Sequence, residues 1–581
     1  MEKLSHNALK VLESRYLLKN AGGEIIETPE QLFKRVSKHI AYAEHLLGSS
    51  DNQLKWETLF FEVLSNLEFL PNSPTLMNAG LPLNQLSACF VLPVEDSISD
   101  IFTTLKNTAL IQQSGGGTGF NFSALRHKGD FINSSHGYSS GPIAFMKIFD
   151  AATDNIKQGG KRRGANMGIL NIDHPDIEEF IELKNTEGVL TNFNISVAVS
   201  DAFMLALEKK ADWELKHPIT RKSVKTIAAK TIWDKIISNA WQTGDPGVVF
   251  LDTINATNPT PKVGTIACTN PCGEVPLLPY EACNLGSIDV SKFYDAKTNT
   301  IDYVRLEKVI GIAIRFLDNV IEVNNYIIPE IKTLVKGNRK IGLGIMGWAE
   351  LLIIMGIPYA SEKAIQLAED LMRFVNEKSK IASEELAEER GVFKNWDKSI
   401  YAPTTSLRNA TRTSIAPTGT ISIIAGTSSS IEPLFALAMH RENVLNNETL
   451  SEVNPVFLNY LKQHELYSDE LIQKVSQTGT LSNTNLPSHV KELFKTSLEI
   501  EPYWHIMHQI AFQKHTDNAV SKTINLPNSA NQKDVEDAYL MAWKNKAKGV
   551  TIYRYGSKSQ QVLHSGTDET DNQGSCKVCA S

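Results

Sequence analysis

Apolar side chains recur at helical spacing through the first seventy residues. Thr28 and Pro29 predict a helix start, because threonine caps a first turn and proline fits within it. Gln31 completes a capping box with Thr28. The apolar positions that follow share one helical face, and they are Leu32, Phe33, Val36, Ile40, Leu46 and Leu47. We therefore predict a helical N-terminal region over residues 1–70.

Between residues 71 and 563, short apolar runs alternate with helical stretches. The longest helical stretch runs from about Glu362 to Arg390 and is rich in residues that favour helix. Glycine-rich loops interrupt the pattern at residues 114–119, 158–164 and 417–426. This alternation is typical of an α/β fold with polar loops at one rim of a sheet or barrel.

The C-terminal residues 564–581 follow neither pattern. Residues 564–575 contain no large apolar side chain, so we predict a disordered arm. Cys576 and Cys579 lie near its end. Twelve extended residues span at most about 40 Å, which suits an arm that carries these cysteines into a buried site.

Composition and charge narrow the function classes. The net charge of −7 gives no basic footprint for nonspecific nucleic-acid binding. The N-terminus lacks the apolar core of a signal peptide. The most apolar stretch, residues 341–358, contains Glu350 and four glycines, so we interpret it as buried core rather than a membrane span. We expect a cytoplasmic protein without nucleic-acid or membrane partners.

The strongest local signal is the run from Asn270 to Glu274, which reads NPCGE. If this loop is extended, the alternate side chains Asn270, Cys272 and Glu274 point the same way. These side chains could then converge on one small molecule. The amide would hold a hydroxyl, the thiol would supply the reactive atom, and the carboxylate would accept a proton. The alternative is a Pro-Gly turn that carries a buried, inert cysteine.

Other cysteines offer redox pairs. Cys89 and Cys283 could form a reversible dithiol if the fold brings them together. Cys576 and Cys579 form a CxxC pair, which fits half a zinc site or a redox pair. Two cysteines cannot close a tetrahedral zinc site, so we favour the redox interpretation and expect no metal site. Cys268 has no assigned role and is interpreted as structural.

Three glycine-containing runs could contact phosphates. The run from Pro417 to Ser422 offers hydroxyl and backbone N–H donors, and residues 114–119 are similar in kind. Residues 342–347 match GxGxxG, but the residues before them, 336–340, do not form the apolar strand that a dinucleotide site requires. We therefore predict no nicotinamide site there.

Taken together, these motifs resemble the large subunits of ribonucleotide reductases over nearly the whole chain. The resemblance rests on the NPCGE run, its flanking cysteines and the terminal cysteine pair. It extends to the segments Pro71–Met77, Gly159–Ala165, His174–Phe180, Asn338–Gly347 and Ala416–Thr420. It implies a ten-stranded α/β barrel of two five-stranded halves over residues 71–563, with a central finger loop that carries Cys272.

The resemblance also implies roles for individual residues. Cys272 becomes a thiyl radical and abstracts the ribose 3′-hydrogen, while Glu274 takes the 3′-hydroxyl proton and Asn270 orients the hydroxyls. Cys89 and Cys283 reduce the 2′ position and become a disulfide. Substrate contacts are implied for Ser73, Thr75, Ala88, Gly117, Pro417, Thr418, Gly419, Thr420 and Ile421. Effector contacts are implied for Asp96, Ser97, Arg126, Lys157, Arg162 and Arg163.

The source of the radical is implied by residues 548–557, which most resemble the adenosylcobalamin-dependent class (class II). Arg554 separates Tyr553 from Tyr555, whereas the metal-dependent class has two adjacent tyrosines.

The family further implies diphosphate substrates, dNTP or ATP specificity effectors, thioredoxin or glutaredoxin as reductant, and a homodimer. The segment Leu4–Tyr16 begins almost at Met1, so we expect no separate N-terminal nucleotide domain.

Three alternatives remain at this point. The chain could be the large subunit of a metal-dependent (class I) reductase that needs a separate radical-generating subunit. It could be an inactive nucleotide-binding regulator, although such a protein needs no Cys/Glu pair. It could be a dithiol oxidoreductase that uses its CxxC pair without any nucleotide.

Overall fold

Three helices form the N-terminal region in the computed structural model, which describes residues 3–48, 50–133, 136–158, 162–445, 448–557 and 563–565. They span His6–Arg15, Pro29–Leu46 and Gln53–Ser65. The predicted capping box is confirmed, since Gln31 N donates to Thr28 Oγ1 at 3.2 Å and Thr28 N donates to Gln31 Oε1 at 2.8 Å. Most of the predicted apolar face is buried, but Leu46 in the last turn is exposed.

The first half of the barrel consists of five parallel strands. In chain order they are β1 (Cys89–Val91), β2 (Gly117–Asn121), β3 (Asn166–Asn171), β4 (Phe193–Val199) and β5 (Gly247–Phe250). Each strand pairs in parallel with the next. Such strands are buried on both faces, which explains their largely apolar sequences.

The second half repeats this arrangement. It contains β6 (Ala282–Asp289), β7 (Ile341–Met346), the extended segment 411–415, β8 (Thr523–Leu526) and β9 (Gly549–Arg554). β6 pairs in parallel with β7, and β8 with β9. Segment 411–415 joins these pairs through the parallel bridges Leu343–Thr413 and Ile415–Val520. The GxGxxG run forms β7, so its glycines belong to a barrel strand.

Two antiparallel seams close the ring. β1 pairs with β6, and β5 pairs with β9. Nine strands and one extended segment therefore surround a common axis, which confirms the predicted ten-stranded barrel of two five-stranded halves. The short strand Phe69–Pro71 lies antiparallel on β6 beside the first seam.

Further helices and hairpins cover the barrel. The predicted helix Glu362–Arg390 is confirmed, with Ser361 as its cap. The other α-helices of the described residues are Ser73–Asn78, Ile98–Gln113, Pro142–Asn155, Ile177–Ile181, Asp201–Glu208, Ala229–Thr243, Leu251–Ala256, Tyr303–Val323, Pro329–Asn338, Trp348–Ile354, Gly419–Ala425, Pro455–Gln463, Asp469–Thr478, Ser488–Leu493, Pro502–Gln513 and Gln532–Lys544. No helix in the described ranges is long and apolar enough to cross a membrane.

Small sheets are separate from the barrel sheet. Hairpins pair Phe131–Ile132 with Gly137–Tyr138, Lys157–Gln158 with Arg162–Arg163, Asp212–Lys216 with Ser223–Ala228, Cys268–Thr269 with Pro276–Leu277, and Tyr294–Asp295 with Thr300–Ile301. A three-stranded sheet joins Ala438–Leu445, Glu448–Val453 and Leu563–Ser565. His564 and Ser565, at the start of the predicted arm, therefore lie in a strand. Residues 566–581 fall outside the described residues. The division of the chain into three regions, with boundaries at residues 70 and 563, remains a prediction.

Buried ion pairs fasten the N-terminal helices to the barrel. Glu44, which is fully buried, accepts hydrogen bonds from Arg315 and Arg390. Asp318 accepts from Arg339 and Arg390 in the same network. Removing one partner from such a network leaves a buried charge without compensation, which typically costs about 3–5 kcal/mol. The N-terminal region is therefore packed as an integral part of the barrel domain.

Candidate active site

A hairpin runs through the centre of the barrel and carries the NPCGE run at its tip. Its two short strands are Cys268–Thr269 and Pro276–Leu277. On one side Asn194 Nδ2, from β4, donates to Pro271 O at 2.8 Å. On the other side Ser414 Oγ, from segment 411–415, donates to Glu274 O at 2.9 Å. Both halves of the barrel thus hold this finger loop.

The glycine-rich run at residues 114–119 makes room for the finger loop. A Cβ atom on Gly119 would lie 1.9 Å from Thr269 O, and one on Gly117 would lie 2.9 Å from Pro271 Cγ. Only glycine allows the finger backbone to approach β2 this closely. These glycines thus have a packing role, and Gly117 lies directly beside the finger tip; the phosphate contact of this run remains a prediction.

The tip is a tight turn and not the extended loop that the alternation assumed. Gly273 N donates to Asn270 O at 3.1 Å, and Gly273 has a φ of +82° that favours glycine. The turn leaves Cys272 exposed, while Asn270 and Glu274 are buried. Asn270 and Glu274 still lie together, because both contact Cys89, and Cys272 lies between them on the turn.

Cys89 lies directly behind the tip. Asn270 Nδ2 donates to Cys89 Sγ at 3.1 Å, and Cys89 Sγ donates to Glu274 Oε1 at 3.8 Å. Within the described part of the chain, the buried oxygen Glu274 Oε2 has no hydrogen-bond partner. Burial raises the pKa of Glu274 to about 7. This carboxyl group can therefore accept or release a proton near neutral pH.

The first seam places Cys89 and Cys283 opposite each other. They are paired residues in the antiparallel register of β1 and β6. Directly opposed residues in such a pair have Cα atoms roughly 4.5–5.5 Å apart, which is within the range that a disulfide can bridge. Burial raises the pKa of both thiols. Cys268 is also buried, and its Sγ donates to Thr269 O at 3.2 Å.

A cavity of about 1010 Å³ opens onto Cys272. β4, β5, β8 and β9 contribute to one side of its wall. Of the predicted phosphate segment, Pro417, Gly419 and Thr420 line the cavity. Thr418 and Ile421 are buried, and Thr418 Oγ1 accepts a hydrogen bond from Ser430 N at 2.6 Å. The finger tip and this segment therefore face the same space.

The other residues implied in substrate contacts lie immediately before β1, at the start of β2 and on the helix Ser73–Asn78. Thr75 is buried, and its hydroxyl donates to Leu86 O at 3.0 Å. Ala88 O accepts from Gly117 N at 2.8 Å, next to Cys89. Ser73 Oγ lies 2.7 Å from Tyr16 Oη of the first helix. This last contact ties the N-terminal region to the site.

The residues implied in effector contacts lie outside the barrel. Arg126 pairs with Asp96, with Nη2 and Oδ2 2.7 Å apart. Ser97 caps the helix Ile98–Gln113 by accepting from Asp100 N at 3.1 Å. Lys157, Arg162 and Arg163 lie on the hairpin at residues 157–163, and their side chains lie outside the described residues. Cys576 and Cys579 also lie outside the described residues.

The tyrosine region lies on β9. Tyr553 lines the cavity. Arg554 is buried and stacks on Trp241, with its guanidinium carbon 4.3 Å from the ring centroid. Alternate side chains of a strand point to opposite faces, so Arg554 faces away from the side that Tyr553 lines.

Sequence reasoning missed two residues that hold the finger loop. Asn194 is the single amide of β4, whose only other polar residue is Ser196, and that amide is the signal that could have identified it. Ser414 lies in segment 411–415, which carries no strand pattern. Nothing in the local sequence of Ser414 indicates its contact with Glu274.

Comparisons with known proteins agree with this architecture. Residues 87–553 match the model "Ribonucleotide reductase, barrel domain", and residues 2–84 match "Ribonucleotide reductase, all-alpha domain". A vitamin B12-dependent ribonucleoside-diphosphate reductase of Thermoplasma acidophilum is 50% identical over 98% of this chain and 81% of its own length. One of the same description from Mycobacterium tuberculosis is 47% identical over 99% and 84%.

A solved structure gives the same result. The class Id ribonucleotide reductase alpha subunit of Actinobacillus ureae superposes with a TM-score of 0.77 at 26% identity, covering 95% of this chain and 97% of that one. The family match thus extends through both the N-terminal helices and the barrel. The chain belongs to the ribonucleotide reductase family.

Proposed function

We propose that this chain reduces ribonucleoside diphosphates to 2′-deoxyribonucleoside diphosphates with adenosylcobalamin as the radical source. The observation that carries the proposal is the finger tip, where exposed Cys272 faces the cavity with Asn270 and Glu274 beside it. The relatives at 47–50% identity are described as vitamin B12-dependent ribonucleoside-diphosphate reductases, which supports both substrate and cofactor.

Each residue then has a chemical task. The Cys272 thiyl radical removes the 3′-hydrogen atom, and the unpartnered Oε2 of Glu274 receives the 3′-hydroxyl proton. Asn270 keeps the hydroxyls oriented. Cys89 and Cys283 supply two electrons and two protons, so that the 2′-hydroxyl leaves as water and the two thiols become a disulfide. Both thiols of this pair are buried behind the finger tip.

The cavity is large for a ligand pocket. Its volume of about 1010 Å³ lies at the upper end of the roughly 300–1,000 Å³ that ligand pockets usually occupy. Val249, Asn525 and Tyr553 line the side formed by β5, β8 and β9 and would hold the cofactor there. When bound, adenosylcobalamin supplies the radical that oxidises Cys272.

A single assay separates this proposal from the metal-dependent class. The purified chain is supplied with adenosylcobalamin, a small dithiol and a ribonucleoside diphosphate, without any second protein. We expect deoxyribonucleotide formation. If product appears only after a metal-containing subunit is added, the chain belongs to the metal-dependent class. The residue order Tyr553-Arg554-Tyr555 argues against that class, which has two adjacent tyrosines.

We also propose the family's partners. Asp96, Ser97 and Arg126, with Lys157, Arg162 and Arg163, would contact a dNTP or ATP effector. Exposed Ile98 and Phe102 on the helix Ile98–Gln113 support a homodimer, since apolar side chains are enriched at subunit interfaces.

Cys576 and Cys579 would pass electrons from thioredoxin or glutaredoxin to the buried pair. Chemistry that depends on free thiols favours the reducing cytoplasm.

Glu274 gives a pH-dependent prediction. A general base must be ionised, so kcat/KM should rise as the pH increases through the Glu274 pKa of about 7. Glu274→Gln should lower kcat by about 10²–10⁴-fold and remove this rising limb. The measurement is a pH profile of CDP reduction from pH 5.5 to 8.5.

Asp289→Asn is the matched control for this profile. Burial also raises the pKa of Asp289 to about 7, but Asp289 lies at the end of β6, away from the finger tip. The rising limb should therefore remain in Asp289→Asn. If it disappears there and persists in Glu274→Gln, Glu274 is not the base.

A further inference from the structure

The cavity has a cationic wall beyond the phosphate segment. Lys3, Arg15 and Lys292 line it together with Pro417, Gly419 and Thr420. These cations come from two distant parts of the sequence, the N-terminal region and the turn after β6. All three side chains line one cavity, and positively charged side chains are a common solution for binding phosphate groups.

Packing fixes this wall against the phosphate segment. The helix His6–Arg15, which ends at Arg15, packs on the helix Gly419–Ala425. The next residue, Tyr16, contacts Ser73 Oγ at 2.7 Å. Lys292 lies on the turn at residues 290–293, which packs on the helix Trp348–Ile354. Both cations are half-buried, so each combines a supported stem with access to the cavity.

Hydroxyl groups complete the recess. Thr420, Ser422, Thr427, Ser428 and Ser429 also line the cavity. Hydroxyls donate hydrogen bonds to phosphate oxygens, while Arg binds two of these oxygens at once and Lys acts as a point charge. Donors and positive charges are thus combined on one surface.

Nearby acidic groups carry less negative charge than their number implies. Glu350 lines the recess, but it accepts hydrogen bonds from Thr427 Oγ1 and Ser428 N, and burial raises its pKa. Asp289 lies behind Thr427, and burial raises its pKa to about 7. Glu432, farther along the wall, forms an ion pair with Lys522. Burial thus favours the neutral forms of Glu350 and Asp289, and Lys522 compensates Glu432.

We infer that Lys3, Arg15 and Lys292 bind the terminal phosphate of the substrate and select a nucleoside diphosphate over a monophosphate. This inference rests on the proposed function, because it assumes that the substrate phosphates occupy residues 417–421. It adds side chains of the N-terminal helix and of the turn after β6 to the binding site. Arg15 and Lys292 provide the main contacts, since Lys3 is the most exposed of the three.

Binding of CDP and CMP, measured by calorimetry without cofactor, tests the inference. Arg15→Gln and Lys292→Gln should each raise the Kd for CDP by about tenfold or more, as expected for lost charged hydrogen bonds. The Kd for CMP should change by less than about twofold, because CMP has no terminal phosphate to lose. In turnover assays, KM for CDP should rise in both variants while kcat stays within a small factor.

Lys10→Gln and Lys297→Gln are the matched controls. Lys10 lies on the same helix as Arg15, and Lys297 lies on the hairpin after Lys292, so each removes one positive charge nearby without touching the cavity wall. Both should bind CDP as the unmodified chain does. Equal weakening of CDP and CMP, unchanged CDP binding, or the same effect in the controls would overturn the inference.

Failure of the proposed function would look different. If the unmodified chain with adenosylcobalamin reduces no ribonucleotide, the proposed function fails, whatever the binding data show. If reduction proceeds but Arg15→Gln and Lys292→Gln bind CDP normally, only the assignment of the cationic wall fails. Thermal unfolding of each variant identifies any loss that comes from misfolding.

Discussion

Cys272→Ser is expected to abolish deoxyribonucleotide formation while nucleotide binding remains intact. A serine hydroxyl holds its hydrogen atom much more strongly than a thiol, so it cannot serve as the radical carrier. Removal of a reacting atom typically lowers kcat on the order of 10⁶-fold. Cys272 is exposed at a turn, so the substitution creates no buried cavity. Product formation and CDP binding are measured on the same preparation.

Cys268→Ser provides the comparison for this experiment. Cys268 lies at the base of the same hairpin and is buried away from the cavity, so its loss should affect stability more than chemistry. Activity should persist in Cys268→Ser and be absent in Cys272→Ser. Any sustained product from Cys272→Ser would contradict the radical role of this thiol.

The double substitution Cys576→Ser and Cys579→Ser should stop repeated turnover with thioredoxin. The buried Cys89–Cys283 pair is inaccessible to a protein-sized reductant, so electrons need a carrier small enough to enter. The enzyme should therefore form about one product per active site and then halt. The measurement is product per chain over time, with thioredoxin, its reductase and NADPH.

A small dithiol distinguishes a lost relay from a damaged active site. It can diffuse into the cavity and reduce the internal disulfide directly, so the double variant should keep most of its activity with it. Full turnover of the variant with thioredoxin would show that the arm is not the relay.

The barrel could be predicted only through resemblance to a family, since local patterns indicated no more than α/β. Segment 411–415 shows why. It completes the ring through single bridges at Thr413 and Ile415, and its sequence, with threonines, an arginine and a serine, has no strand periodicity. The ring forms because neighbouring strands supply partners on both sides. Tertiary context of this kind is invisible to local patterns.

The sequence predicted which side chains lie at the candidate site better than it predicted how they are arranged. The NPCGE run predicted side chains that the structure places at the finger tip, and Cys89 and Cys283 were singled out as a pair that could meet, as the seam register places them. The turn at Gly273 was not anticipated, because the expected extended loop ignored the left-handed preference of this glycine. Asn194 and Ser414 were missed because each acts across the barrel on the finger loop, far away in sequence.

The seam between β1 and β6 has a consequence for the whole molecule. Hydrogen bonds and packing join the two half-barrels there, and Cys89 faces Cys283 across the junction. A disulfide at this position would staple the halves together, and such cross-links typically add about 2–4 kcal/mol of stability. Each turnover would then form this disulfide between the half-barrels, and each reduction would break it. The oxidised protein would be the mechanically stiffer form. The stiffness of the barrel would therefore rise and fall once in each catalytic cycle.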